Sequence, residues 1–213
     1  MRIAGLTQDF MGFTVVGPGH FLGSGHPGPD DREQPSHLGL IESTDGGESW
    51  RPVSLSGEAD FHAMEAAHGR VYGYDSVSGR LLVSEDRQTW DPRADLALAD
   101  LAVSPDRPEE VIATTEQGPA RSTDGGRTFA PVGGAPVLVY LDWPASGRLV
   151  GVAPDGAVHV STDGGGTWAR RGQVPGTPQA LTTHGGAEVY VATGTGIHRS
   201  TDDGRTFRVF QEL

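Results

Sequence analysis

The stretch Ser43–Trp50, "STDGGESW", decides the fold. Near-copies follow as "SEDRQTW" from Ser84, "STDGGRTF" from Ser122, "STDGGGTW" from Ser161 and "STDDGRTF" from Ser200. The leading serines step by 41, 38, 39 and 39 residues, a period that belongs to stacked or circular repeat architectures. A short alternating segment precedes each copy ("LGLIES", "RLLVSE", "GPARS", "AVHVS", "GIHRS") and another follows it, such as "WRPVSL" or "WARRGQV". Two further strand-like runs lie upstream in each period, for example "VLVYLDW" and "RLVGVAP". Four short strands per period with no helical periodicity predict an all-β chain, a β-propeller of four-stranded antiparallel blades.

The repeated octet must then be a turn between the third and fourth strands. Asp45, Asp86, Asp124, Asp163 and Asp202 are suited to accept hydrogen bonds from backbone amides of such a turn. Gly47, Gly126, Gly165 and Gly204 supply positive φ, and Trp50, Phe129, Trp168 and Phe207 supply an apolar ring for packing. A calcium loop needs several oxygen side chains converging on one ion, whereas each copy offers one carboxylate among small neighbours. The five aspartates are therefore assigned to structure, not to a metal. Copy two is one residue short and lacks the turn glycine, and copy five carries Asp203 in place of the first glycine.

These residues resemble the Asp-box (BNR) repeat, S-x-D-x-G-x-T-W, of bacterial β-propellers in the sialidase-like, glycosyl-hydrolase-like superfamily. The resemblance covers nearly the whole chain. It implies one propeller domain over residues 1–213, with blades at about 11–57, 58–97, 98–135, 136–175 and 176–213. Residues 1–10 are left over, and "MRIAGL" reads as the outer strand of a preceding blade. Five blades are expected, or else a six-bladed propeller lacking most of its first blade.

Composition narrows the partners. With Gly 32 and Pro 15 among 213 residues, yet recurrent Val, Leu and Ile, the chain is turn-rich and not low-complexity. A formal charge of -12 argues against nucleic acid and anionic membrane surfaces, which require clustered cations. The absence of cysteine excludes disulfides and thiolate metal sites. No apolar run is long enough for a membrane span, and "MRIAGLTQDFMGF" does not read as a signal peptide, so export is expected only if sequence precedes Met1.

In propellers resembling this one the box turns lie on the face opposite the ligand site. That face collects the second-to-third-strand loops and the starts of the innermost strands. The long insertion "GHPGPDDREQPSH" brings His26, Asp30, Asp31, Arg32 and His37 there. The inner-strand starts add Asp60, His62, Asp100, Tyr140 and Gln179, with Arg80 and Arg93 nearby. Asp60, Asp100 and Tyr140 are the catalytic candidates, since carboxyls and a phenol serve acid–base chemistry. His26, Arg32, His62, Arg80 and Gln179 are the ligand-binding candidates. His26, His37 and His62 with Asp60 form a conceivable metal set, but no short spacing motif supports it, so no metal and no cofactor is assigned.

The resemblance implies a Tyr nucleophile with a Glu partner, an Asp acid and three Arg for a true sialidase. Here "MRIAG" has Arg2 and Ile3 without the expected Pro, Tyr140 has no Glu beside it, and most arginines sit in or beside the boxes. A non-catalytic module binding a small molecule, glycan or protein on the face opposite the boxes is the expected function. The alternative is an exo-acting glycoside hydrolase of sialidase-like type, with Asp60 and Asp100 as its two carboxyls.

Overall fold

The computed structural model describes residues 7–29, 31 and 33–212, and among these every regular element is a β-strand. The strands form five four-stranded antiparallel sheets, each built from consecutive strands in meander order, which makes the chain a five-bladed member of the β-propeller class. Among the described residues no helix is long and apolar enough to cross a membrane. The chain divides into two compact units, Met1–Ala97 and Leu98–Leu213.

The first unit holds two blades. One comprises β1 (Asp9–Gly17), β2 (His20–His26), β3 (Leu40–Ser43) and β4 (Arg51–Ser54). The other comprises β5 (Phe61–Ala67), β6 (Arg70–Asp75), β7 (Arg80–Ser84) and β8 (Asp91–Asp95). β1 starts at Asp9, so Asp9 and Phe10 pair with His26 and Gly25 as part of an innermost strand. The remainder of the stretch set aside as an outer strand, residues 1–6, lies outside the described residues.

The second unit holds three blades. They are β9 (Asp100–Val103) to β12 (Ala130–Pro131), β13 (Tyr140–Ala145) to β16 (Ala169–Gln173), and β17 (Pro178–His184) to β20 (Arg208–Glu212). Between these limits lie β10 (Val111–Thr115), β11 (Gly118–Ser122), β14 (Arg148–Val152), β15 (Ala157–Ser161), β18 (Glu188–Thr193) and β19 (Gly196–Ser200). β12 is only two residues long, and beyond it the Val132 amide still donates to the Pro119 carbonyl at 2.9 Å before Gly133 and Gly134.

Apolar clusters bridge neighbouring blades within each unit. In the first, Leu22 and Leu40 meet Phe61, Met64 and Val71. In the second, Ala102 and Ile112 meet Leu141, Trp143 and Leu149, and Val150, Val152 and Val158 meet Val189 and Val191. Each Val, Leu, Ile, Phe or Met among them contributes about 1.5–3 kcal/mol when fully buried, so blade-on-blade contact stabilises both units.

All five repeated turns share one hydrogen-bond scheme. The serine is buried, and its Oγ accepts from the amide four residues on: Gly47 at 2.9 Å, Gly126 at 2.8 Å, Gly165 at 2.8 Å and Gly204 at 2.9 Å. The same hydroxyl donates to the aspartate Oδ1, at 2.8 Å for Ser161 and Asp163. That carboxylate then closes the turn, as Oδ1 accepts from the Thr167 amide at 2.8 Å and Oδ2 from the Thr167 hydroxyl at 2.7 Å. The shortened copy keeps the scheme with one residue fewer, Ser84 Oγ accepting from the Arg87 amide at 2.7 Å and Asp86 from Thr89. Gly165 takes φ 89°, and in copy five Asp203 occupies φ 64° where the other full-length copies have glycine. Asp203 has partners that glycine lacks, Arg148 Nη2 at 2.8 Å and Arg171 Nε at 3.4 Å.

These hydrogen bonds hold the carboxylates of Asp45 and Asp163 down to about 2, led by Ser49 in the first case and Thr167 in the second. The serine is the buried member of the scheme. Ser161→Ala leaves the Gly165 amide without its acceptor and is expected to cost about 1–3 kcal/mol. Urea unfolding measures this directly, and an unchanged midpoint would show that the turn does not need the hydroxyl.

Candidate functional site

The loop between β2 and β3 and the start of β5 meet at the end of the first unit's blades away from the β3–β4 turn, as the meander order requires. His26 closes β2. The residue before it, Gly25, has φ 144°, and a Cβ there would fall 1.9 Å from the Asp9 carbonyl oxygen, so only glycine fits. The Leu38 amide returns to the Gly25 carbonyl at 2.9 Å, and the His37 carbonyl accepts from the Gly57 amide at 2.8 Å. The long insertion therefore has its two ends tied together, with His26 and His37 at the tie and their ring centroids 5.7 Å apart.

Asp60 is brought to the same place by a second set of bonds. Its amide donates to Asp75 Oδ1 at 2.9 Å, and its carbonyl accepts from the Ser76 amide at 2.9 Å. The Phe61 amide donates to Ser24 Oγ at 3.0 Å. The Asp75 carboxylate, itself buried, also holds the turn that follows through the Val77 and Ser78 amides. Phe61 points into the apolar cluster and His62 to the opposite side of the strand.

The Asp60 side chain is only 3% exposed. Its Oδ2 contacts His62 Nε2 at 2.8 Å, the Ser76 hydroxyl at 3.1 Å and His26 Nε2 at 3.5 Å. Its Oδ1 is buried without a hydrogen-bond partner, and so is Nδ1 of His37. His26, His37 and Asp60 each present one donor atom, and these three atoms all lie within 4.8 Å of one another. A buried carboxylate faced by imidazoles on a half-open surface can hold a polar or cationic group.

The second unit has its own polar cluster. Asp100 Oδ1 accepts from the Leu101 amide and Oδ2 from the Leu141 amide, both at 2.9 Å. In the next blade Asp142 Oδ2 accepts from the Thr183 amide at 2.7 Å and the Thr183 hydroxyl at 2.9 Å. Burial pushes Asp100 up to about 7, against the pull of its two amide donors and with some help from the Asp142 charge. Burial also raises Asp142, and burial together with the Asp100 charge raises Tyr140.

The sequence-derived candidates thus fall into separate places. Asp60, His26 and His62 converge within the first unit, with His37. Asp100 and Tyr140 are neighbours within the second unit, and Gln179 is exposed at a register shift in β17. Arg80 forms an ion pair with Asp95 at 2.5 Å between β7 and β8. Arg32 and Asp30 lie outside the described residues. Sequence reasoning passed over Asp75, Ser76 and Asp142, for which the only available signal was a polar residue beside an inner-strand end.

No family model and no curated protein matches the chain. Solved structures do resemble it. A chain of the nidogen/laminin complex superposes with a TM-score of 0.71 at 13% identity, covering 94% of this chain and 79% of that one. YCF48 bound to the D1 peptide gives 0.53 at 16% identity, covering 97% and 83%. The GH74 enzyme of Niastella koreensis gives 0.56 at 16% identity over 95% of this chain, which spans only 31% of that enzyme's length. An ancestral GH74 enzyme gives 0.54 at 16% identity, covering 68% of this chain and 22% of its own. What this chain shares with all of them, at such identities, is the β-propeller fold.

Proposed function

We propose that the chain is a non-catalytic binding module, an Asp-box propeller of the sialidase-like superfamily, whose ligand sits on the first unit's cluster of His26, Asp60 and His62. The observation that carries this reading is how the inner-strand carboxylates are used. Asp100 and Asp142 are committed to amides of adjacent strands, a positioning role that leaves neither poised as a nucleophile. Asp60 is the exception, buried yet keeping one oxygen unpartnered beside half-exposed imidazoles. Peptide recognition has a precedent in the fold, since the YCF48 neighbour is bound to a peptide. A peptide amine, a basic side chain or a sugar hydroxyl would each donate to the Asp60 carboxylate, with the rings as flanking contacts. Immobilised peptide and glycan arrays identify the ligand, and calorimetry then compares variants. His62→Ala is expected to weaken binding roughly tenfold to a hundredfold, the range for losing a hydrogen bond to a charged group. Unchanged affinity in that variant would move the ligand elsewhere.

The alternative is a glycoside hydrolase, and one observation favours it: an Asp held near 7 beside a second carboxyl and a phenol is suited to act as a general acid. Fluorogenic glycosides decide between the readings, because turnover by the parent chain that is lost in Asp100→Asn would establish the enzyme and overturn the binding module.

The raised Asp100 has a stability consequence under either reading. In the unfolded chain this carboxyl ionises near ~4, whereas in the folded chain it ionises at about 7. Between those values the folded state holds the extra proton, so stability falls as pH rises through this window. Urea unfolding across this interval should show a decline in the parent that is smaller in Asp100→Asn. Parallel pH profiles for the two proteins would refute the raised value.

A further inference from the structure

We infer that His26, His37 and Asp60 form a binding site for a first-row divalent cation of the zinc type, with His62 as its positioning residue. The inference is independent of which ligand the module binds. Two imidazoles and one carboxylate are the donor set of three-ligand zinc sites, which keep a further position for water or an exogenous group. The donor atoms already lie within 4.8 Å of one another. With metal–ligand bonds of about 2.1 Å at tetrahedral angles, donor atoms stand about 3.4 Å apart, so a separation of 4.8 Å must close by about 1.4 Å. Rotation of the two histidines provides that movement, because the His26 side chain is 38% exposed and His37 is half-buried.

Two features point to a cation independently of the spacing. Asp60 is almost wholly buried, yet its Oδ1 has no donor, an arrangement that is costly unless something positive or hydrogen-bonding occupies the place. The Nδ1 of His37 is likewise buried and unpartnered. Meanwhile the other carboxylate oxygen, Oδ2, is engaged by His62 at 2.8 Å and the Ser76 hydroxyl at 3.1 Å, and lies 3.5 Å from His26 Nε2. This is the outer set of hydrogen bonds that orients a ligating carboxylate, with Oδ1 left for the metal. The framework behind it is rigid, since Asp75 and Ser24 fix the backbone at Asp60 and Phe61, and the Gly25–Leu38 bond fixes the histidines. With nitrogen and carboxylate donors and no thiolate, the set suits zinc or a neighbouring transition ion better than calcium or magnesium.

The test uses the whole chain stripped with a chelator and titrated with Zn2+ by calorimetry, with Co2+ absorption as a second readout of coordination. The parent is expected to take up one Zn2+ at this cluster, to melt at higher temperature with Zn2+ than without, and to give the intense visible bands of four-coordinate Co2+. The variant His26→Ala/His37→Ala should lose at least ~100-fold in affinity and both signatures. His62→Gln should retain the Co2+ bands with affinity reduced roughly tenfold, as positioning residues behave. Both histidines are partly exposed, so the double variant is expected to fold; if its metal-free melt differs from the parent's, His26→Gln alone serves the comparison. No uptake by the parent, or equal uptake by the variant, overturns the site. Repeating the peptide and glycan arrays on stripped protein separates the two proposals, because ligand capture without metal would leave the binding module standing by itself.

Discussion

An innermost strand has one edge without a ladder partner, and its amides need acceptors from somewhere. In this chain the neighbouring blade of the same unit supplies them through side chains. Thr14 Oγ1 accepts from the Ala66 amide at 3.1 Å and Ser24 Oγ from Phe61, both joining the first blade to the second. Asp100 accepts from Leu141 and Asp142 from Thr183, joining the third blade to the fourth and the fourth to the fifth. These bonds set the register between inner strands while the apolar clusters behind them hold the sheets in contact. Every candidate site residue on an inner strand has to be judged against that demand. Asp100 meets it with Oδ2, while Oδ1 accepts from the Leu101 amide of its own strand, which accounts for a carboxyl where catalysis had been the natural expectation.

The repeated turn answers a different problem with the same economy. A buried serine hydroxyl, an aspartate and a hydroxyl four residues later close a loop whose groups satisfy one another. Because the scheme is local, it tolerates departures. Copy two omits a residue and shifts the bonds by one position, and its Arg87 reaches across to the buried Glu42 at 2.7 Å. Copy five replaces a glycine by Asp203 and adds two arginine partners.

Much of the fold was legible because these turns recur at a fixed step and each is flanked by short alternating runs. The spacing gave the four-stranded blade as the repeating unit but left five blades and an incomplete six as alternatives, and the five sheets of consecutive strands are seen in the structure. Strand limits were less legible: β12 is only two residues long, and β1 reaches back to Asp9 through a register shift between Phe10 and Gly12. Within the candidate site, the convergence of His26, Asp60 and His62 could be anticipated from loop and strand-start positions. The roles of Asp75, Ser76 and Asp142 could not, since each depends on a backbone amide or carboxylate far away in sequence. No periodic pattern encodes such a contact, and a lone Asp beside a strand end looks the same whether it caps an amide or faces solvent.

The knot of bonds at Gly25 and Leu38 gives the long insertion a modular character. His26 and His37 are anchored at its two feet, one through a conformation open only to glycine and the other through a carbonyl held by Gly57. What lies between the feet does not determine the distance between the rings. The intervening segment can accordingly diverge in length and charge among variants of this chain while the imidazole pair stays in place, so that the selectivity of the rim and the chemistry of its floor can evolve separately.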